Sequence, residues 1–327
     1  MSSSPPPRVK PSALRLGDIV GIVAPASNVK SADLEAGCEA MSRAGYKPFY
    51  FDSILDHDLY FAGSVERRVH ELEAMFRREE VRAIVCARGG YGANYLLSRL
   101  NLEIVKSHPK IFVGYSDLTA LLTYFSDATG LVTFHGPMVA KDWANEDGVD
   151  SASWHAALTA TGPWELNLDA ASGASGLVNG SAQGTLYGGC LSILVASLGT
   201  PYEIRTQGTI LFLEDVAAKP YQIDRMLMQL KLAEKFKGVR GIIFGEMRDC
   251  LQNANQAYKL EDVVLRIMGD LRIPVAYGLR SGHVTAGNIT LPIGIHAGLT
   301  VRGGEVQLKI LEAAVTDAPA NPVSIKI

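Results

Sequence analysis

Cysteine is scarce in this chain: Cys38, Cys86, Cys190 and Cys250 are its only four, with no C-x-x-C pair and no histidine beside them at metal-ligand spacing. That excludes a disulfide scaffold and a cysteine-built zinc site, and it suits a reducing compartment. Long apolar runs are missing as well. The run at 19–24 is strand-sized, whereas a membrane span needs roughly 20 apolar residues, and the Ser/Pro-rich start MSSSPPPRVK has no apolar signal core. An excess of one charge is also lacking, since the net charge of −3 is spread over both signs without a basic block. No electrostatic footprint for nucleic acid or an anionic membrane follows from that. Neither an internal repeat nor a heptad run is present. The expectation from these absences is a cytoplasmic globular protein with small polar partners, and at 327 residues it is long enough for two domains.

What the sequence does contain is a regular alternation of two periodicities. Residues 18–25 (DIVGIVAP) read as a buried strand, and 31–44 as a helix with Leu34, Cys38 and Met41 on one face. A second strand at 47–51 precedes a charged helix at 64–78 that carries Val65, Val69, Leu72 and Phe76. Residues 83–87 form a third strand, and a helix with Leu96, Leu97 and Leu100 follows the turn at 88–92. Such alternation predicts a parallel sheet covered on both faces, with ligand sites beyond the carboxyl ends of its strands. Between 142 and 180 the composition shifts to Ala, Ser, Gly and Asp, a linker region with some ordered pieces. From about 181 the pattern becomes β-rich, with helices expected at 189–198, 221–232 and 260–270. The expected architecture is therefore α/β. A doubly wound N-terminal domain occupies 1–150, a linker region 151–180, and a β-rich α+β domain 181–327.

Chemistry concentrates in 110–125, KIFVGYSDLTALLTYF. An apolar strand breaks there at Gly114 and Tyr115, after which Leu118, Leu121, Leu122 and Phe125 recur at helical spacing. Ser116 stands at the break, over a helix N-terminus, where the amide of Asp117 can help hold a developing oxyanion. The arrangement follows the nucleophile elbow of hydrolases, except that Leu118 replaces the second glycine of G-x-S-x-G. Helix capping accounts for the same serine more simply.

A serine needs a base, and the base an orienting carboxylate. His57, His70, His108 and His155 lie in polar surroundings, and His296 in a β-rich stretch with nothing reactive beside it. His283, in RSGHVTAGN, has glycines on both sides that let backbone approach a ligand; His135, in TFHGPM, is the competing base. For the acid, TILFLED delivers Glu214 and Asp215 to a loop, and strand alternation turns only one of them to the crevice. The turn RGGYG at 88–92 can aim amides at an anion, yet it matches neither nucleotide-binding glycine motif. Gly89, Tyr91 and His135 are the candidate substrate-binding residues.

In order over nearly the whole chain, ARGGYG, GYSDLTALL, FHGPM, LFLED with PYQIDRMLMQL, and GHV followed by NITLPIG resemble the LD-carboxypeptidase family of serine peptidases. That family includes cytoplasmic murein tetrapeptide carboxypeptidases and the hydrolase that confers self-immunity to microcin C. The resemblance implies a triad of Ser116, Glu214 and His283, and so favours Glu214 over Asp215 and His283 over His135. It further implies an oxyanion hole from the backbone of Asp117 and Gly90 and a site between the domains. The expected reaction is hydrolysis of the amide before a C-terminal D-amino acid in a small murein peptide, without cofactor or metal, by a homodimer. Two departures from the family bear on substrate preference: Gly188, Gly189, Cys190, Leu191 where Gly-Gly-Asn-Leu is frequent, and Ala217, Ala218, Lys219 before the Pro-Tyr pair, where an acidic residue is frequent. The rival readings are hydrolysis of a microcin C-like peptidyl-nucleotide, with Trp143 or Trp154 stacking on the base, and non-catalytic binding of peptides or phosphorylated ligands at the RGGYG turn.

Overall fold

The computed structural model describes residues 6–166, 168, 173–251 and 257–317. The start of the Ser/Pro tail and part of the expected linker region, 167 and 169–172, lie outside the described residues. The first half alternates as the periodicity predicts: β1 Ile19–Val23, α1 Ser31–Arg43, β2 Lys47–Phe49, α2 Val65–Arg77, β3 Val81–Cys86, α3 Leu102–Ser107, β4 Ile111–Gly114, α4 Thr119–Thr129 and β5 Thr133–His135. These strands pair in parallel in the order β5-β4-β3-β1-β2. From β1 the chain moves outward to β2 and then back to β3. This reversal puts Leu34 and Met41 of α1 in the core on one face, and Leu72 and Phe76 of α2 with Leu121 and Phe125 of α4 in the core on the other. It also opens a crevice at the carboxyl ends of β1 and β3. The glycine turn leaves β3 at that edge and the Ser116 turn leaves β4 beside it. The helix expected after the glycine turn is only a short 3-10 segment, Ala93–Leu96.

The stretch at 151–180 does more than link. It holds α5 Ser151–Thr159, β6 Trp164–Leu166 and β7 Ser175–Val178, and the two strands form opposite edges of a second sheet. Short edge strands pair on one side only, so small polar residues suffice for them and the strand signal is weak in sequence. The second sheet continues with β8 Gly180–Cys190, α6 Leu191–Ala196, β9 Thr209–Glu214, α7 Pro220–Leu232, β10 Gly241–Gly245, α8 Leu260–Met268 and β11 Val275–Leu279. Then follow β12 Leu291–Ile293, β13 His296–Arg302 and β14 Glu305–Ile310. The order is β6-β14-β13-β8-β9-β10-β11-β7, parallel from β8 to β11 and antiparallel at both flanks. Where a helix is expected from 189, β8 instead runs on to Cys190, which pairs with Glu214, and α6 is cut to six residues.

Strand β12 crosses over. It pairs antiparallel with β5, Leu291 opposite His135 and Ile293 opposite Thr133, so the C-terminal half lends a strand to the N-terminal sheet. One apolar cluster spans both sheets, joining Ile22, Val85, Val113 and Phe134 to Ile210, Phe212, Ile243 and Leu291. The two halves thus share a core as well as a sheet edge. Among the described residues no helix is long and apolar enough to cross a membrane.

Candidate active site

At the end of β4 the backbone is extended at Tyr115 and then turns sharply, with Ser116 at φ 63° before a short 3-10 turn feeds α4. A non-glycine residue in this left-handed region costs on the order of 1 kcal/mol, and the surrounding structure has to hold it there. Gly89 packs directly against it. A Cβ at Gly89 would stand 2.8 Å from Ser116 Cβ, 3.0 Å from its Oγ and 3.4 Å from the Asp117 amide nitrogen, so only glycine permits the approach. The turn that brings Gly89 here, with Gly90 packed against Ser27, is pinned from three sides. Ser27 Oγ accepts from Tyr91 N at 3.1 Å; Asp117 Oδ2 accepts from Ala93 N at 2.7 Å; buried Arg68 donates from Nη1 to Pro25 O at 2.9 Å and Gly92 O at 2.8 Å. Burial pushes the Asp117 carboxyl up to about 6, against the opposing pull of the Ala93 amide and Arg68. Sequence reasoning missed Ser27 and Arg68. The available signal was an arginine among the apolar positions Val65, Val69 and Leu72 of α2, and a serine in the loop that leaves β1 at the sheet's switch point.

On the other side, β9 ends at Glu214, which is 1% exposed. Glu214 Oε2 accepts from His283 Nδ1 at 2.8 Å and from the His283 backbone N at 3.1 Å. Gly282, at φ 96°, makes room for this: a Cβ there would lie 2.6 Å from Glu214 Cδ. Asn288 fixes the same loop by accepting from Gly282 N at 2.9 Å and donating to Gly282 O at 3.1 Å. Burial pushes the Glu214 carboxyl up, but His283 and then His135 outweigh it and bring the group down to about 2. Burial pulls His283 down in turn, and the charge and hydrogen bond of Glu214 outweigh it and raise that histidine. Because an ionised carboxylate only accepts, Nδ1 of His283 carries the proton and Nε2 is left as the basic nitrogen. Asp215 points elsewhere. It accepts from Ser192 N at 2.8 Å and from its own neighbour Val216 N at 2.8 Å, so the residue just past the end of β9 turns away from the one that ends it.

The two sides meet through Tyr115. Its ring stands edge-on to His283 at 5.1 Å, and its hydroxyl donates to Asp142 Oδ1 at 3.4 Å. Among the described residues no hydrogen bond joins Ser116 Oγ to His283; such contacts commonly tighten only with substrate in place. His135 is wholly buried behind Glu214, with Nδ1 2.9 Å from Ser281 Oγ, and presents no surface to the crevice. Tyr91 is exposed and packs with Tyr60, Phe61 and Tyr95. A cavity of about 410 Å³ opens beside Asp117 and Tyr91, walled by Thr123, Ile193 and Tyr202. His57, His70, His155 and His296 are exposed and His108 half-buried, all outside the cluster. Trp143 and Trp154 are buried, edge-on to each other at 5.1 Å, and offer no face to a ligand. Cys190 lies in the strand position opposite Glu214, and Ala217 to Lys219 precede α7.

Comparison with known proteins places this geometry. Residues 20–136, which hold the glycine turn and Ser116, match the LD-carboxypeptidase N-terminal domain, and 183–299, which hold Glu214 and His283, match the LD-carboxypeptidase C-terminal domain. The chain is 36% identical over 312 residues to a Bacillus subtilis protein described as "Probable murein peptide carboxypeptidase", covering 94% of this chain and 96% of that one. It is 27% identical over 315 residues to the microcin C7 self-immunity protein of Escherichia coli, covering 86% and 90%. A muramoyltetrapeptide carboxypeptidase from Oxalobacter formigenes superposes with a TM-score of 0.80 at 27% identity, over 90% of this chain and 99% of the other. Fold and matches together define a serine-type carboxypeptidase. Within that class the chain belongs to the LD-carboxypeptidase family.

Proposed function

We propose that this protein hydrolyses the amide before the C-terminal D-alanine of murein tetrapeptides, with Ser116 as nucleophile, His283 as general base and Glu214 as the acid that orients it. The observation that carries the proposal is the 2.8 Å contact between Glu214 and His283 Nδ1, which leaves Nε2 basic on a ring that packs edge-on to Tyr115, the neighbour of the left-handed Ser116. Ser116 Oγ attacks the scissile carbonyl while His283 Nε2 takes its proton, and Glu214 compensates the imidazolium that forms. The amides of Asp117 and Gly90 hold the tetrahedral oxygen. The histidine then gives its proton to the departing D-alanine amine, and water activated by the same nitrogen opens the acyl-enzyme. Gly89 and Tyr91 line the approach, and the cavity beside Asp117 takes the remainder of the peptide. The same reading has the enzyme work on recycled murein peptides in the cytoplasm, as a homodimer; unpaired cysteines suit that compartment.

Purified protein should release D-alanine from a murein tetrapeptide, and Ser116→Ala should abolish the release. Undiminished release by that variant would sink the assignment. Likeness to the microcin C7 self-immunity protein supports the peptidyl-nucleotide alternative, for which Trp143 and Trp154, being buried, do not supply a stacking face. Side-by-side turnover of the two substrate types decides between them.

A further inference from the structure

Glu214 has a second histidine behind it. His283 occupies Oε2 twice, whereas Oε1 has no hydrogen-bond partner in the folded chain, and neither has the nitrogen that faces it, His135 Nε2, 3.8 Å away. Both side chains are almost wholly buried, so water does not readily satisfy either atom. The proton positions on the far side of the ring follow from its partners. Ser281 Oγ has one proton, and it goes to Ile289 O at 2.8 Å, because a carbonyl only accepts. His135 Nδ1, at 2.9 Å from Ser281 Oγ, is therefore the donor in that contact. Nε2 then meets Oε1 either bare, lone pair against lone pair in a dry pocket, or through a proton, and only the second is attractive.

We infer that His135 is a positioning residue for the acid: it holds a proton against Glu214 Oε1, so that a histidine grips each carboxylate oxygen and Oε2 is kept aimed at His283. The inference rests on the triad reading above and adds a residue to it. The fold builds the arrangement with one loop. Between β11 and β12 this loop presents His283 to one oxygen of Glu214 and Ser281 to the histidine behind the other, and the pairing of Leu291 with His135 fixes the register.

With its charge shared between two rings, Glu214 pulls less strongly on His283, so loss of His135 should move the titration of His283 to higher pH. The other groups facing this cluster are Tyr115 and Asp142 from the Ser116 side, Lys141 and Arg248 as cations, and Cys190, Asp215 and Cys250 around the end of β9. Of these, Tyr115 also packs against the His135 ring, at 5.9 Å.

Two substitutions separate the two contacts of the ring. His135→Asn keeps a group near Nδ1 for Ser281 and nothing at Nε2, whereas His135→Gln returns an amide N–H near Nε2. Ring-nitrogen NMR of His283, recorded in a Ser116→Ala background, should show a midpoint raised by about half a pH unit or more in the Asn variant and restored in the Gln variant. With Ser116 present, the Asn variant should lose about tenfold in kcat at nearly constant KM, and Gln should recover most of it. An unmoved His283 midpoint in the folded Asn variant, or equal impairment by Asn and Gln, would overturn the inference. Should neither variant fold, the ring nitrogens of His135 in the unsubstituted protein decide: a protonated Nε2 supports it, and a bare Nε2 from pH 5 to 8 refutes it. Residual turnover by Ser116→Ala would instead count against the triad reading, leaving the NMR result to stand for itself.

Discussion

The Ser116 side of the site and the Glu214 side are built in opposite ways. Ser116 gets its geometry from adjacent chain, a strand that breaks into a helix, and from a glycine turn clamped by Ser27, Arg68 and Asp117. Glu214 and His283 are 69 residues apart, and His135 and Ser281 are 146 apart; only sheet pairing and a shared core bring them together. One side stores local backbone strain, the other depends on charge and tautomer in a buried pocket. The lesson is that the two sides should fail differently, the first to steric change and the second to the loss of a charge or a proton.

The largest effect that sharpens this contrast is expected at Glu214. Glu214→Gln keeps the shape and removes the charge that fixes the His283 tautomer, and kcat should drop by about three to four orders of magnitude. A drop below tenfold would mean that His283 is oriented by something other than Glu214. Next comes Gly89→Ala, which forces a methyl against Ser116 without touching any charge. A loss of about a hundredfold in kcat, with a lowered melting temperature from the overpacking, is the outcome expected when an oxyanion donor and the serine are displaced.

The pH profile separates the sides further. His283 must be neutral to accept a proton, and its pKa is raised by Glu214, so kcat/KM should climb with pH and level off only above the ordinary histidine range. The sign for stability is the reverse. A raised histidine contributes stability that is fully present below its unfolded pKa and is lost as pH rises through the folded value. The lowered Glu214 contributes stability above the ordinary carboxylate range, lost as pH falls towards about 2. Melting temperature and kcat/KM should therefore move in opposite directions through the titration of His283, and parallel movement would mean that His283 is not the base. The smallest effect is Ser116→Gly, which relieves the left-handed strain and should stabilise the inactive protein by about 1 kcal/mol in denaturant unfolding.

The same contrast decides what was legible in sequence. The alternation that builds the first sheet, and the strand-to-helix break at Ser116, are local patterns readable from apolar spacing. Glu214 ends β9 and Asp215 directly follows it, so local spacing cannot say which side chain faces inward; pairing of β9 with β8 and β10 makes that choice. The departure of β12 to the first sheet, which seats the His283 loop, leaves no trace in a three-residue apolar run. Asn288 and Ser281 likewise act through partners supplied by the fold, and in sequence they are an asparagine and a serine in a loop. Composition misled at 151–180, where Ala, Ser and Gly conceal two edge strands of the second sheet.

In the proposed mechanism a serine strained by its own segment is activated by a histidine brought from the other side. Labelling with a serine-directed phosphonate, followed by peptide mapping of the native protein and of His283→Ala, tests it directly. The expected result is a single adduct on Ser116 in the native protein that is nearly abolished in His283→Ala. Equal labelling of both proteins, or an adduct on another residue in protein that releases D-alanine, would contradict it.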